Sequence, residues 1–275
     1  MRTEIISGGK LQGELTKEDG YSTAVIFDQT GLDPQTGKLV RGGIVPQTER
    51  ALENIGVLLE EAGARPSDTF QVDVRIVDPT LFADFNGAYQ ESDLITGRDV
   101  LPTRFTYVGE QEVPGALVTV SARAAFKEGS PLILKSIHTD GAAKAVAAYG
   151  QGIDIEGEEY YHLITSGQIG LKPEGSGLVE GGMVPEAKRV FTSIGAILEA
   201  GGASPGQLTR VDMVVPDPEN LKLAKQVYRG WEWAGDITPK QIKGDLLLGA
   251  SFEARCFARV PKTTTTIVDL RRPKS

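Results

Sequence analysis

The sequence predicts an α+β protein built as two tandem domains, each a mixed sheet covered on one face by two helices. Two observations predict it. Residues 31–89 align without a gap to residues 170–228 at a constant offset of 139, with 22 identities in 59 positions. Unrelated chains of average composition would share roughly four. Within each copy, segments of helical period alternate with segments of strand period, the pattern of helices laid over a sheet. The repeat is longer than the ~20–50 residues of a solenoid unit and long enough to own a core. Domain one is expected at 1–128 and domain two at 129–275. The boundary falls near Lys127-Glu128-Gly129-Ser130-Pro131, where charge, Gly and Pro interrupt two apolar runs.

Each copy reads strand, strand, helix, strand, helix, strand, strand. In copy one, Ala24-Val25-Ile26-Phe27 is a short apolar strand. Pro46 suits the first turn of a helix, where its missing N–H costs nothing. Leu52, Ile55, Leu59 and Ala62 then recur at three- and four-residue spacing, and Gly63 follows as a C-terminal cap. Copy two keeps the stripe as Phe191, Ile194, Leu198 and Gly201. Phe70 to Val77 alternates as a half-buried strand. Asp78-Pro79 opens a second helix through Tyr89, and strands at 104–108 and 116–126 close the copy around the Pro114-Gly115 turn. The small, apolar and hydroxyl residues of Ala116 to Ala122 suit a sheet-to-sheet or subunit contact.

Composition narrows the function classes. The 275 residues are 40% hydrophobic and 24% charged, ordinary for a folded soluble chain. No apolar run approaches the ~18 residues of a membrane span, and Met1 to Lys10 lacks a signal-peptide core. Cytoplasmic localisation is therefore expected. A net charge of −8 opposes nucleic acid and anionic membranes, so neither is expected as a partner. The single cysteine, Cys256, excludes an internal disulfide framework and reads as a buried small hydrophobe. His138 and His162 have no ligand-like spacing. Trp231 and Trp233 have no counterpart in copy one and either line a cleft or fill core volume. Gly42-Gly43 and Gly181-Gly182 lack the spacing and lysine of a phosphate loop and read as backbone turns.

Certain segments resemble the reactive-intermediate deaminase family (RidA, also called YjgF). They run from Gln29-Thr30-Gly31-Leu32-Asp33-Pro34 through Gly42-Gly43, then Leu52-Glu53-Asn54-Ile55, Phe85-Asn86-Gly87-Ala88-Tyr89 and Leu101-Pro102-Thr103-Arg104. Copy two adds Thr165-Ser166-Gly167-Gln168-Ile169-Gly170. The resemblance implies a chorismate-mutase-like fold, three domains packed sheet to sheet with clefts between them, and hydrolysis of small enamines and imines without metal or organic cofactor.

Carried over residue by residue, the resemblance makes Arg104 the holder of a substrate carboxylate, a task suited to the planar guanidinium fork. A surface or interface salt bridge is the competing role. The glutamate that positions the attacking water is replaced by Thr119 in copy one and kept as Glu253 in copy two, where pairing with Arg255 competes. Copy two lacks the Pro-x-Arg motif. Either Arg104 and Glu253 form one composite site across the copies, or the deaminase chemistry is lost. Tyr21, Thr30, Gly31 and Asn86 match substrate-binding positions, with packing, backbone contacts or capping as their alternatives. The partner implied is a small-molecule carboxylate, and a homotrimer is the expected assembly. The rivals to an imine or enamine hydrolase are a non-catalytic carboxylate-binding module and a chorismatase-like reaction on a cyclic carboxylate.

Overall fold

The computed structural model describes residues 3–8, 11–129 and 132–262, so Ser130 and Pro131 of the expected boundary lie outside the described residues. Domain one contains β1 (Thr3–Gly8), β2 (Leu11–Glu18), β3 (Tyr21–Gln29), α1 (Ile44–Glu61), β4 (Thr69–Ile76), α2 (Phe82–Gln90), β5 (Thr103–Val108) and β6 (Val118–Phe126). Its six strands lie in the order β1-β2-β3-β6-β4-β5. All neighbours are antiparallel except the β4–β5 pair, whose crossover is α2. That exception makes the sheet mixed, because a parallel pair needs a long connection.

Domain two repeats the plan with β7 (Leu134–Ile137), β8 (Gly152–Glu156), β9 (Tyr160–Thr165), β10 (Gln168–Ile169), α3 (Met183–Ala200), β11 (Leu208–Val214), α4 (Leu221–Arg229), β12 (Lys240–Ile242) and β13 (Glu253–Pro261). Its sheet runs β12-β11-β13-β9-β8-β7, with β10 also paired to β13. Again only the edge pair, β11–β12, is parallel. The α+β reading with two helices per sheet holds.

The apolar stripe of α1 buries Ile55, Leu58 and Leu59 against Val72, Val74, Val118, Val120 and Ala122, one face of the sheet. Each such side chain contributes roughly 1.5–3 kcal/mol when fully buried. In domain two, Phe191, Ile194, Ile197 and Leu198 pack likewise on Val211, Met213, Ala254 and Cys256. The Gly-Gly pairs are the entries to the long helices: Gly42 and Gly43 have φ of 112° and 95°, and Gly181 and Gly182 of 103° and 76°. Side chains there would be strained, which accounts for both pairs without a ligand. Trp233 is buried beside Trp231, which stacks on Phe191, so the two tryptophans fill the domain-two core.

The faces turned away from the helices meet each other. Tyr21, Phe70 and Ala125 of domain one pack with Ile153, Ile155 and Ile164 of domain two. At the other end Phe105 packs with Val214, Leu246 and Ala250. The turn between β2 and β3 is a second tie: Asp19 accepts the backbone N–H groups of Glu159 (2.6 Å) and Tyr160 (3.1 Å) and meets His162 Nε2 at 2.6 Å. Burial acts to raise the Asp19 carboxyl, but these bonds outweigh it and hold it below its usual range.

Candidate active site

Arg104 lies on β5, the edge strand that the parallel crossover sets beside domain two. Its N–H donates to Ser166 Oγ at 3.0 Å, and its carbonyl accepts from Gly167 N–H at 2.9 Å. A segment of domain two is thus stitched to the strand carrying the arginine. The side chain is 4% exposed. Four aromatic rings surround its guanidinium: Tyr149 at 4.7 Å, Tyr89 at 5.2 Å, Phe82 at 5.5 Å and Phe85 at 5.8 Å. Asn86 Oδ1 accepts from Nη1 at 2.7 Å. Among the described residues this is the guanidinium's one hydrogen bond, and no carboxylate lies within ion-pair distance of it. Burial therefore lowers its proton affinity. Aromatic faces attract a cation without neutralising it, so the site holds a desolvated positive charge short of an anion.

Glu253 begins β13, where β10 and β11 flank it. It is 5% exposed, and its Oε2 has no hydrogen-bond partner. Burial pushes its carboxyl up to about 8, against the opposing pull of Arg255 and Arg104. At neutral pH the group is mostly a neutral acid. The competing role, pairing with Arg255, is not what the structure contains, because Arg255 is taken by Asp73 and Asp212.

Arg104 and Glu253 line the same small cavity, open to solvent past Val146 and Leu248 and walled also by Phe82, Tyr149 and Ile169. The guanidinium comes from copy one and the carboxyl from copy two. Thr119 occupies the copy-one counterpart of Glu253, since Arg75 pairs with Thr119 as Val214 pairs with Glu253. Its hydroxyl donates to Gln111 Oε1 at 2.6 Å, which leaves no carboxyl at that position. In copy two, the pairings Asp73–Phe105 and Asp212–Lys240 put Pro239 where copy one has Arg104. Each copy lacks what the other supplies.

The remaining predicted residues are distributed differently. Asn86 reaches the site through Arg104, whose fork it holds, rather than by capping. Thr30 and Gly31 are not at the cavity: Thr30 carbonyl accepts from Asn54 Nδ2 at 3.3 Å, and a side chain at Gly31 would strike Gln47 at 2.8 Å. Both pack on α1 within domain one. Tyr21 is likewise away from the cavity, buried at the sheet-to-sheet contact with its ring edge-on to His162 at 5.6 Å. The physical reason is shared. Once the carboxyl comes from copy two, the loop facing it comes from copy two as well, and the offset of 139 carries Thr30-Gly31 to Ile169-Gly170.

Tyr149 and Leu248 are among the cavity residues that no motif of the resemblance contains. Tyr149 lies in the connection between β7 and β8. Leu248 is 60% exposed at the mouth, with φ of 57°, a left-handed conformation that disfavours leucine. Gly167 did stand in a quoted motif. A side chain there would overlap Glu253 Oε1 and come within 2.7 Å of Phe105. Gly167→Ala should therefore displace the carboxyl and cut turnover by ~10²-fold or more while far-ultraviolet circular dichroism stays unchanged. Unaltered turnover would show that the carboxyl's position is immaterial.

Comparison with known proteins agrees with this architecture. The family model described as Endoribonuclease L-PSP matches twice, over residues 20–126 and 139–243. A 2-iminobutanoate/2-iminopropanoate deaminase of Mus musculus is 31% identical over 52% of this chain and 96% of its own length. A RutC family protein of Pyrococcus abyssi is 46% identical over 66 residues, 24% of this chain and 52% of that protein. Among solved structures, a chorismatase superimposes with a TM-score of 0.69 at 12% identity, over 94% of this chain and 79% of its own. A RidA protein from an Antarctic Psychrobacter is 25% identical and covers 46% of this chain and 99% of its own, with a TM-score of 0.41. The chain belongs to the RidA/YjgF family, of which it carries two copies in tandem.

Proposed function

We propose that the protein hydrolyses a small 2-enamino or 2-imino acid to the corresponding 2-oxo acid and ammonia, in the single cleft that Arg104 and Glu253 share. The observation that carries the reading is a buried guanidinium that, among the described residues, has no counter-ion, beside a buried carboxyl that has no hydrogen-bond partner there. Arg104 binds the substrate carboxylate through its free N–H donors. A neutral Glu253 avoids repelling that anion and keeps a proton to give.

The proton then cycles. Glu253 protonates the enamine carbon, giving the iminium and its own carboxylate. Water adds to the C=N carbon, its O–H bond breaking as Glu253 takes the proton. Glu253 next protonates the amine, the C–N bond breaks, and the hydroxyl proton of the forming C=O returns to Glu253. Enamine and water become 2-oxo acid and ammonia, with the carboxyl neutral at the start and the end. The assistance expected of one such acid–base group is roughly 10²–10⁴-fold. The mouse relative is named for 2-iminobutanoate and 2-iminopropanoate, small 2-imino acids of the class proposed. The net charge of −8 opposes RNA as the substrate.

Ammonia release from freshly generated 2-iminobutanoate should exceed the buffer rate, and no acceleration would remove the reading. The pH profile carries a sign. Since the active form holds the Glu253 proton, kcat/KM for the enamine should fall about tenfold per pH unit above the Glu253 value of about 8. A rate rising through that range would assign the carboxylate form instead. For the assembly, a homotrimer stays our proposal, to be checked by a sedimentation mass three times that of the chain. Among the described residues no helix is long and apolar enough to cross a membrane.

A further inference from the structure

The middle of the sheet-to-sheet contact is charged, with Asp28 and Lys240 at its cleft beside Asp73, Arg210 and Arg255, and among the described residues one of its guanidinium groups is unpaired. Asp73 and Asp212 are repeat counterparts, 139 residues apart. Arg255 binds both: its Nη atoms meet the Asp73 carboxylate and its Nε donates to Asp212 Oδ2 at 3.0 Å. Arg210 also grips Asp212, with Nε–Oδ1 and Nη2–Oδ2 both at 2.8 Å. Two carboxylates are thus shared by two guanidinium groups. A third, Arg123, stands on β6 directly across from Gln71 of β4. Among the described residues its side chain has neither a hydrogen bond nor an ion pair.

Burial disfavours the Arg123 charge, and the nearby Arg210 and Arg255 add to that, opposed by Asp73. Gln71 is 3% exposed. Its Nε2 donates to both Asp73 oxygens at 3.2 Å, while its Oε1 is buried without a partner. Among the described residues, a half-buried cation without an ion pair and a buried acceptor without a partner therefore face one cleft of about 320 Å³, which shares no lining residue with the Arg104 cavity. Water would satisfy the acceptor but leave the charge.

We propose that this cleft is a second binding site, taking a small oxyanion that also carries a hydrogen-bond donor: Arg123 neutralises the oxyanion and Gln71 Oε1 accepts from the donor. Protonated phosphate and hydroxycarboxylate groups share this chemistry. A fully ionised oxyanion such as sulfate lacks the donor, and its oxygens repel Gln71 Oε1 and Asp73.

Thermal unfolding tests the site with inorganic phosphate at pH 6.5, and sulfate as the donor-free control. Every protein carries Arg104→Gln, so that the other cavity cannot respond. The midpoint should climb with the logarithm of phosphate concentration, by about 5 °C at 100 times the dissociation constant. Sulfate should do less. Adding Arg123→Gln should abolish the phosphate response. Equal responses with and without Arg123 would overturn the site, and equal effects of the two anions would overturn the donor requirement. Sedimentation without phosphate covers the remaining case. An oligomer that Arg123→Gln dissociates would mean that a carboxylate of a second copy is the partner, which also overturns the proposal.

Discussion

Glu253→Gln should abolish most of the turnover and make the protein more stable. The two effects have one cause. A carboxyl at about 8 when folded lies above its ordinary value of 4.5, so the folded protein favours the protonated form. Stability from that preference is full below about pH 4.5. It declines as pH rises through the interval where only the unfolded chain ionises, and it is gone above the folded value. At pH 7.5 most of the decline has occurred, amounting to about 2–4 kcal/mol. Glutamine keeps the shape and carries no charge at any pH. The melting midpoint of Glu253→Gln should therefore exceed that of the parent by roughly 5–10 °C at pH 7.5, and the gap should close towards pH 4.5. Ammonia release should drop by about 10²–10⁴-fold, the worth of a positioned proton donor. Differential scanning calorimetry at both pH values, beside a rate assay, reads both. A midpoint that falls at pH 7.5 would mean that Glu253 is a structural anion with a partner.

Arg104→Ala should raise KM and reduce kcat/KM by roughly 10²–10³-fold, the cost of removing one member of a buried charge-assisted pair. Arg104→Lys should recover little of it, since an ammonium has no planar fork and loses the bond from Nη1 to Asn86. The fold should tolerate either change. The native guanidinium has one hydrogen bond for its burial, so removing it relieves desolvation as well as deleting contacts. Steady-state kinetics on the variants decides this. An unchanged KM would put the substrate carboxylate elsewhere.

The fold was largely legible because its signals are local or repeated. The stripe of Leu52, Ile55 and Leu59 and its image in Phe191, Ile194 and Leu198 predict helices on one face, and the duplication fixes the domain plan twice. The complementary loss was legible too, since the resemblance puts Thr119 and Glu253 at one position and finds no Pro-x-Arg motif in copy two, while the residue that replaces Arg104 there, Pro239, emerges only from the strand pairing. What escaped depends on how the two sheets dock. Tyr21, Thr30 and Gly31 were expected at the substrate because they match the binding positions of the family the chain resembles. Docking brings Gly167 and Ile169 of copy two to the cavity of Arg104 and Glu253, and leaves Tyr21 against His162 in the contact between sheets. Tyr149 and Leu248 sit on connections with no period to reveal them, and their approach to Arg104 is a long-range consequence of sheet packing.

Combining the two substitutions is the most direct measurement of whether the copies act as one site. In a double-mutant cycle on ammonia release from 2-iminobutanoate, Arg104→Ala with Glu253→Gln should be little slower than the worse single variant, because groups serving one bound substrate are lost together. Losses that multiply, each residue costing the same with or without the other, would mean that the anchoring by the guanidinium does not position the substrate for the carboxyl, and would contradict the shared cleft.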